Sequence, residues 1–157
     1  MSTTTTAGVV QATPTTDGVG IVLQQTLVDL LDLALKAKQA HWNLTGPRFL
    51  PLHQHLDTLA TTARDHADTI AERAAAIGTP PDGRGITIVA TSRLPQLDAG
   101  VLRDDTVINK FEDILTTTAT GIRHAIDATV DDPITQDILI TTGHTIEQQG
   151  WLLRSQR

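Results

Sequence analysis

The stretch HWNLTGPRFLPLHQHLD, positions 41–57, gathers three histidines, a tryptophan and an aspartate. The whole chain of 157 residues has only six histidines and two tryptophans, and no tyrosine or cysteine. A second stretch, RDHADTIAERAAAIG at positions 64–78, adds Asp68 and Glu72. His53/Asp57 and Asp68/Glu72 are both spaced i, i+4, the spacing that stacks side chains on one helix face. With His53 at zero, the helical step puts Asp57 at about 40°, Asp68 at about 60° and Glu72 at about 100°. Imidazole combined with carboxylates is a ligand set for iron, manganese or zinc. Two surface ion clusters on a solvated helix would share this spacing, so spacing alone leaves both readings open.

One chain cannot close such a metal site. Asp57 and Asp68 are separated by about 16 Å along a helix axis. A two-fold axis near position 62 removes the gap. In two antiparallel copies it sets His53 opposite Glu72 of the partner subunit, and Asp57 opposite Asp68 of the partner subunit. Each dimer would then hold two sites, each built from both chains. His41, near the end of the preceding helix, can supply a fifth ligand.

The elements that must position these groups are helical. Leu23, Leu27, Leu30, Leu31, Ala34, Leu35 and Trp42 follow a helical period from Ile21 to Thr45, and Gly46-Pro47 ends it. A second helix is expected from Leu50 to Ile77, with Leu52, Leu56, Leu59, Ala63, Ala67, Ile70 and Ala74 on its apolar stripe and Gly78 as its stop. Pro80-Pro81-Asp82-Gly83 is turn chemistry. Within residues 84–103, ITIVAT alternates like a strand but has nothing obvious to pair with, so a long crossover with one short helix is preferred. A third helix starts at Asp104-Asp105, either of which can cap it, and carries Ile108, Phe111, Leu115, Ala119, Ile122 and Ile126. Asp132-Pro133 reads as a cap followed by proline at the first position of a fourth helix, which runs through Ile138 and Ile146 to about Leu153. The result is an all-α, ferritin-like four-helix bundle over residues 17–157, with the long link between helices 2 and 3. Residues 1–16, Thr-rich and uncharged, are expected to form a flexible arm.

A net charge of -6 argues against general affinity for phosphate backbones or anionic lipid. The absence of cysteine excludes disulfides, a thiol nucleophile and thiolate metal sites. The N-terminus lacks a basic signal-peptide region, and no apolar run is expected to reach the roughly 18 residues of a membrane span. A soluble, cytoplasmic protein is the expectation.

KQAHWNLTGPRFLPLHQHLD followed by RDHADTIAERAAAIG resembles the Dps family, the miniature ferritins of bacteria. The motif covers Lys38 to Gly78, and Asp68-Thr-Ile-Ala71-Glu72-Arg73 matches the family's D-x-x-A-E-R segment. The resemblance puts His41, His53, Asp57, Asp68 and Glu72 at the family's five intersubunit ferroxidase positions. It implies a hollow homododecamer that oxidises Fe(II), preferably with hydrogen peroxide, at di-iron centres and stores the ferric mineral. DNA would be protected by suppression of Fenton chemistry. An intrasubunit centre would need Glu-x-x-His. Glu72, Glu112 and Glu147 are followed at that position by Ala75, Leu115 and Gly150.

The period makes Trp42 a core aromatic, and the resemblance adds electron donation beside the iron. Trp151 reads as packing. Asp131, Asp132 and Asp137 read as helix capping, for which Asp132 fits well, or as carboxylates lining a three-fold iron pore, the use preferred for at least one of them. Two-fold and three-fold axes together match twelve subunits. His55 and His66 face away from the ligand side and read as structural, as do the isolated His124 and His144. The alternative function, DNA binding with nucleoid compaction, depends in the family on a mobile basic tail. Here the first basic residue is Lys36 and the C-terminal end offers only Arg154 and Arg157, so DNA binding is disfavoured.

Overall fold

The computed structural model describes residues 16–157. The arm expected over residues 1–16 lies outside them apart from Thr16, which opens the first helix. The order is α1 (Thr16–Asn43), β1 (Leu44–Thr45), α2 (Phe49–Ala76), α3 (Gly85–Thr91), β2 (Leu102–Arg103), α4 (Asp104–Asp127) and α5 (Pro133–Arg154). The four long helices form a bundle in which α1 packs on α2 and α4 on α5. The long crossover between α2 and α4 is the ferritin-like connection, and it carries the short helix α3 along α1.

The bundle core follows from the apolar period. All seven stripe residues of α2, from Leu52 to Ala74, are buried. They meet Leu23, Leu27, Leu30, Ala34 and Ala37 of α1, together with Ile108, Phe111, Leu115 and Ile122 of α4 and Leu139, Ile146 and Leu153 of α5. Truncating a fully buried leucine such as Leu56 to alanine costs about 2–5 kcal/mol by the lost transfer energy and the cavity. Leu35 and Trp42 depart from the expected stripe and are exposed, Trp42 by 69%. Measured from Leu23, they fall about 120° and 100° round α1, at the edge of the face that its neighbours cover.

α1 has one property the sequence pattern did not suggest. Over Gly18–Asn43 it is long and apolar enough to cross a bilayer, although more than half of its most apolar window is buried inside the bundle. Polar groups along one edge fix it there. Gln24 exchanges two 2.8 Å hydrogen bonds with the backbone of Asp82. Asp29 accepts from the backbone N–H and guanidinium of Arg93. Asp32, buried, accepts from Ser92 and from Lys36. The crossover is thereby fastened to α1 along its length. ITIVAT is helical rather than extended, with Ile88 buried, and the Asp82 carboxylate braces its start through Arg84 and Thr87.

The helix ends confirm most of the stop signals. Gly78 takes φ +84. Its N–H bonds Ala75 O and that of Thr79 bonds Ala74 O, closing a Schellman turn after α2. Asp132 caps α5 by accepting from Thr135 N, with Pro133 at the first turn. The start of α4 differs. Arg103 holds the cap position without a side-chain cap, because Asp104 turns its carboxylate towards the α1–α2 corner instead.

Candidate metal centre

Two of the expected ligands meet at that corner. His41 ends α1 and His53 lies one turn into α2, and their rings stack with centroids 3.7 Å apart and planes 15° off parallel. Each ring donates Nδ1–H to the other residue's backbone carbonyl, His41 to His53 O at 2.8 Å and His53 to His41 O at 2.9 Å. A carbonyl can only accept, so the proton of each neutral imidazole sits on Nδ1. Each Nε2 is left with a free lone pair, the form in which imidazole binds a metal. Phe49 also stacks on His53, with centroids 4.9 Å apart.

Asp57 stands one turn beyond His53 and is bonded by the ammonium of Lys38. That hydrogen bond is the main reason its carboxyl lies below the usual range. Slight burial works the other way, and the nearby charge of Lys38 adds to the lowering.

The corner itself is held from a distance. Gly46 takes φ +127, and a Cβ there would come within 2.5 Å of Asp104 Oδ1. Asp104, only 1% exposed, accepts from Arg48 N at 2.9 Å and from the Arg48 guanidinium at 3.2 Å. Its carboxyl is lowered first by that backbone bond. β1 and β2 pair in parallel, Leu44 with Leu102 and Thr45 with Arg103. The short turn that sets His41 against His53 is therefore clamped by the start of α4.

Asp68 and Glu72 lie further along α2, exposed, and neither has a hydrogen bond or ion pair with the described residues. No three His, Asp or Glu side chains among the described residues converge to hold a metal ion.

The remaining candidates divide. Trp42 follows His41 but points outward, so its reading as core packing is corrected; Trp151, also expected to pack, is exposed. Asp131 and Asp137 are exposed. Asp132 is engaged by Thr135 and by Arg73, which places Nη2 at 3.1 and 3.0 Å from its two oxygens. His55 donates Nε2–H to the Gln149 side-chain oxygen at 3.0 Å and accepts at Nδ1 from the Gln156 amide at 2.7 Å, and His66 meets Thr142 at 3.1 Å. Burial lowers the pKa of both histidines. They are structural ties between α2 and α5, as their side of the helix implied.

Sequence reasoning passed over Lys38 and Phe49. The signal for Lys38 was present: it precedes His41 by three residues and so shares its helix face.

A four-helix bundle with a long second crossover carrying a short helix is the ferritin-like architecture. The sequence matches the ferritin family, described as a ferritin-like domain, over residues 22–157. It is 40% identical to DNA protection during starvation protein 2 of Deinococcus radiodurans, over 85% of this chain and 56% of that protein. The chain thus spans little more than half the length of that relative. It is 34% identical to the DNA protection during starvation protein of Agrobacterium fabrum, over 85% of this chain and 84% of that one. A crystal structure of a Dps protein from Deinococcus radiodurans superposes with a TM-score of 0.86 at 38% identity, covering 89% of this chain and 86% of the other. The chain belongs to the Dps family of ferritin-like proteins.

Proposed function

We propose that this chain is an iron-storage and detoxification subunit with ferroxidase activity. Two chains join through α2 about a two-fold axis. His41, His53 and Asp57 of one then meet Asp68 and Glu72 of the other around a di-iron centre, and each dimer holds two such centres. Fe(II) is the substrate, hydrogen peroxide the preferred oxidant over dioxygen, and the ferric mineral is kept inside a cytoplasmic homododecamer. Consuming Fe(II) together with peroxide suppresses Fenton chemistry, so DNA is protected without being coated.

The observation that carries this reading is the locked histidine pair. Crossed Nδ1–H bonds fix both rings and leave each Nε2 lone pair free, while Asp68 and Glu72 remain unengaged by the described residues on the same helix. Surface ion clusters need neither feature. Exposed Trp42, adjacent to His41, would donate electrons to stray oxidants at the centre. Asp131 and Asp137 would line the three-fold pore that admits iron, with Asp132 serving chiefly as the cap. Arg157 is tied to Glu112 and Asn109.

Complementation tests the shared centre. Shells of His53→Ala/Asp57→Ala subunits and shells of Asp68→Ala/Glu72→Ala subunits should both be inactive. Mixed shells should recover about a quarter of wild-type activity, since each mixed dimer rebuilds one of its two sites and random pairing makes half the dimers mixed. No recovery in correctly assembled mixed shells would refute shared sites.

A further inference from the structure

Phe49 opens α2 with 42% of its surface exposed. Aromatic residues are only fair helix formers, and a half-exposed ring gains little from burial. Neither helix propensity nor the bundle core accounts for phenylalanine at this position. Its contact with His53 does. The two are spaced i, i+4 on α2, which makes their side chains neighbours on one face, and their rings stack with planes 27° off parallel. His41 already covers one face of the His53 imidazole at 3.7 Å, which leaves the other face for Phe49. The imidazole is the middle ring of three. Phe49 is itself set by the corner: its backbone N–H donates at 3.1 Å to the carbonyl of Gly46, whose positive φ makes the turn. The Nδ1–H bond to His41 O holds one atom of the His53 ring, and a ring held at one atom can still rock about it. Cover on both faces removes that freedom.

We propose that Phe49 is a positioning residue of the metal centre: it closes the second face of His53, so that the Nε2 lone pair keeps one direction before a cation arrives. This inference rests on the two-chain centre proposed above. A ligand already held in its bound orientation loses less freedom when the cation binds, and affinity rises accordingly. The phenyl face is also the negative side of the ring quadrupole. It favours an imidazole that turns more positive as Nε2 donates to a cation. Both effects act through His53, and neither requires Phe49 to touch the metal.

Anaerobic equilibrium titration of the assembled protein with Co(II), a first-row divalent neighbour of Fe(II), tests this apart from catalysis when read by the visible spectrum. Phe49→Leu keeps an apolar side chain at the position but cannot stack. It should bind Co(II) about fivefold more weakly than wild type, the size of an aromatic pair contact. Stoichiometry should be unchanged and the unfolding midpoint close to that of wild type. Phe49→Tyr, which keeps the stack, should bind as wild type does. Unchanged affinity in Phe49→Leu, or an equal loss in Phe49→Leu and Phe49→Tyr, overturns the role of Phe49, and the centre still stands if Asp68→Ala/Glu72→Ala shells lose cobalt. A loss in Phe49→Leu that comes with a clear fall in the unfolding midpoint shows that the ring supports the fold, and it overturns the role as well. Absence of cobalt binding in every shell overturns both.

Discussion

Arg73 of α2 grips Asp132, the residue that caps α5, with one nitrogen placed between both carboxylate oxygens and Nε donating to Thr135 at 2.8 Å. The arginine directly follows Glu72, so the helix turn that offers a proposed ligand is anchored to the start of the last helix. Burial pushes the Asp132 carboxyl upward. Thr135 and Arg73 outweigh that effect, and the net shift is downward. A carboxyl lowered in the fold stabilises it fully above the unfolded value near 4, and that contribution disappears as pH falls through the folded value. Asp132→Ala should cost about 1–2 kcal/mol at pH 7, as loss of a helix cap does. Asp132→Asn, which can still cap, should cost less and should flatten the stability loss of the assembled protein below about pH 4. Denaturant midpoints across pH measure both, and equal acid sensitivity in wild type and Asp132→Asn would exclude this ion pair as a source.

The α1–α2 corner makes a sharper demand on sequence. Gly46→Ala should destabilise by about 1–3 kcal/mol, because the backbone there is unfavourable to any Cβ and the added carbon meets Asp104. Relaxation of that clash should disturb the His41–His53 stack. Co(II) affinity should therefore fall in shells that still assemble. A variant as stable as wild type with unaltered cobalt spectra would show that the corner does not position the histidines.

Assembly can be weighed directly. Native mass spectrometry should find a species of about twelve chain masses, each chain being 16.9 kDa. Asp131→Asn/Asp137→Asn should leave that mass unchanged and slow oxidation at low Fe(II), where focusing of cations at a pore limits supply. An isolated dimer as the only native species would remove the cage.

Protection of DNA should be chemical. With iron and peroxide present, intact protein should keep a plasmid supercoiled without retarding it on a gel in iron-free, near-physiological salt. Replacement of all five proposed ligands by alanine, in shells that still assemble, should abolish most of the protection. Strong retardation by wild type, with protection surviving in the ligand variant, would reverse the assignment in favour of DNA coating.

The long helices were legible because their apolar period is regular and their ends carry strong chemistry, as at Gly78 and Asp132-Pro133. The shared face of the proposed ligands on α2 was legible for the same reason: one helix fixes the mutual angles of His53, Asp57, Asp68 and Glu72. What escaped depends on contacts between distant segments. Asp104 looks like a cap until Gly46 and Arg48 come within reach of its carboxylate. Trp42 lies on a helical period, but nothing in the period shows how far round α1 the neighbours extend. The Leu44–Leu102 pairing is two residues long, too short for a strand pattern. Lys38 shares the helix face of His41 in the sequence, but its pairing with Asp57 of the next helix shows only in the fold.

The clamp on that corner also sets an order of events during synthesis. The α1–α2 hairpin is local and can form as soon as both helices have emerged. Its turn, however, is locked by Asp104, 56 residues after Arg48, and contacts across such separations form late because the loop must first close. A chain still on the ribosome would thus carry the two imidazoles without the brace that aligns them. The His41–His53 alignment would be completed only with the second half of the bundle, so unfinished chains would lack the proposed metal-binding geometry.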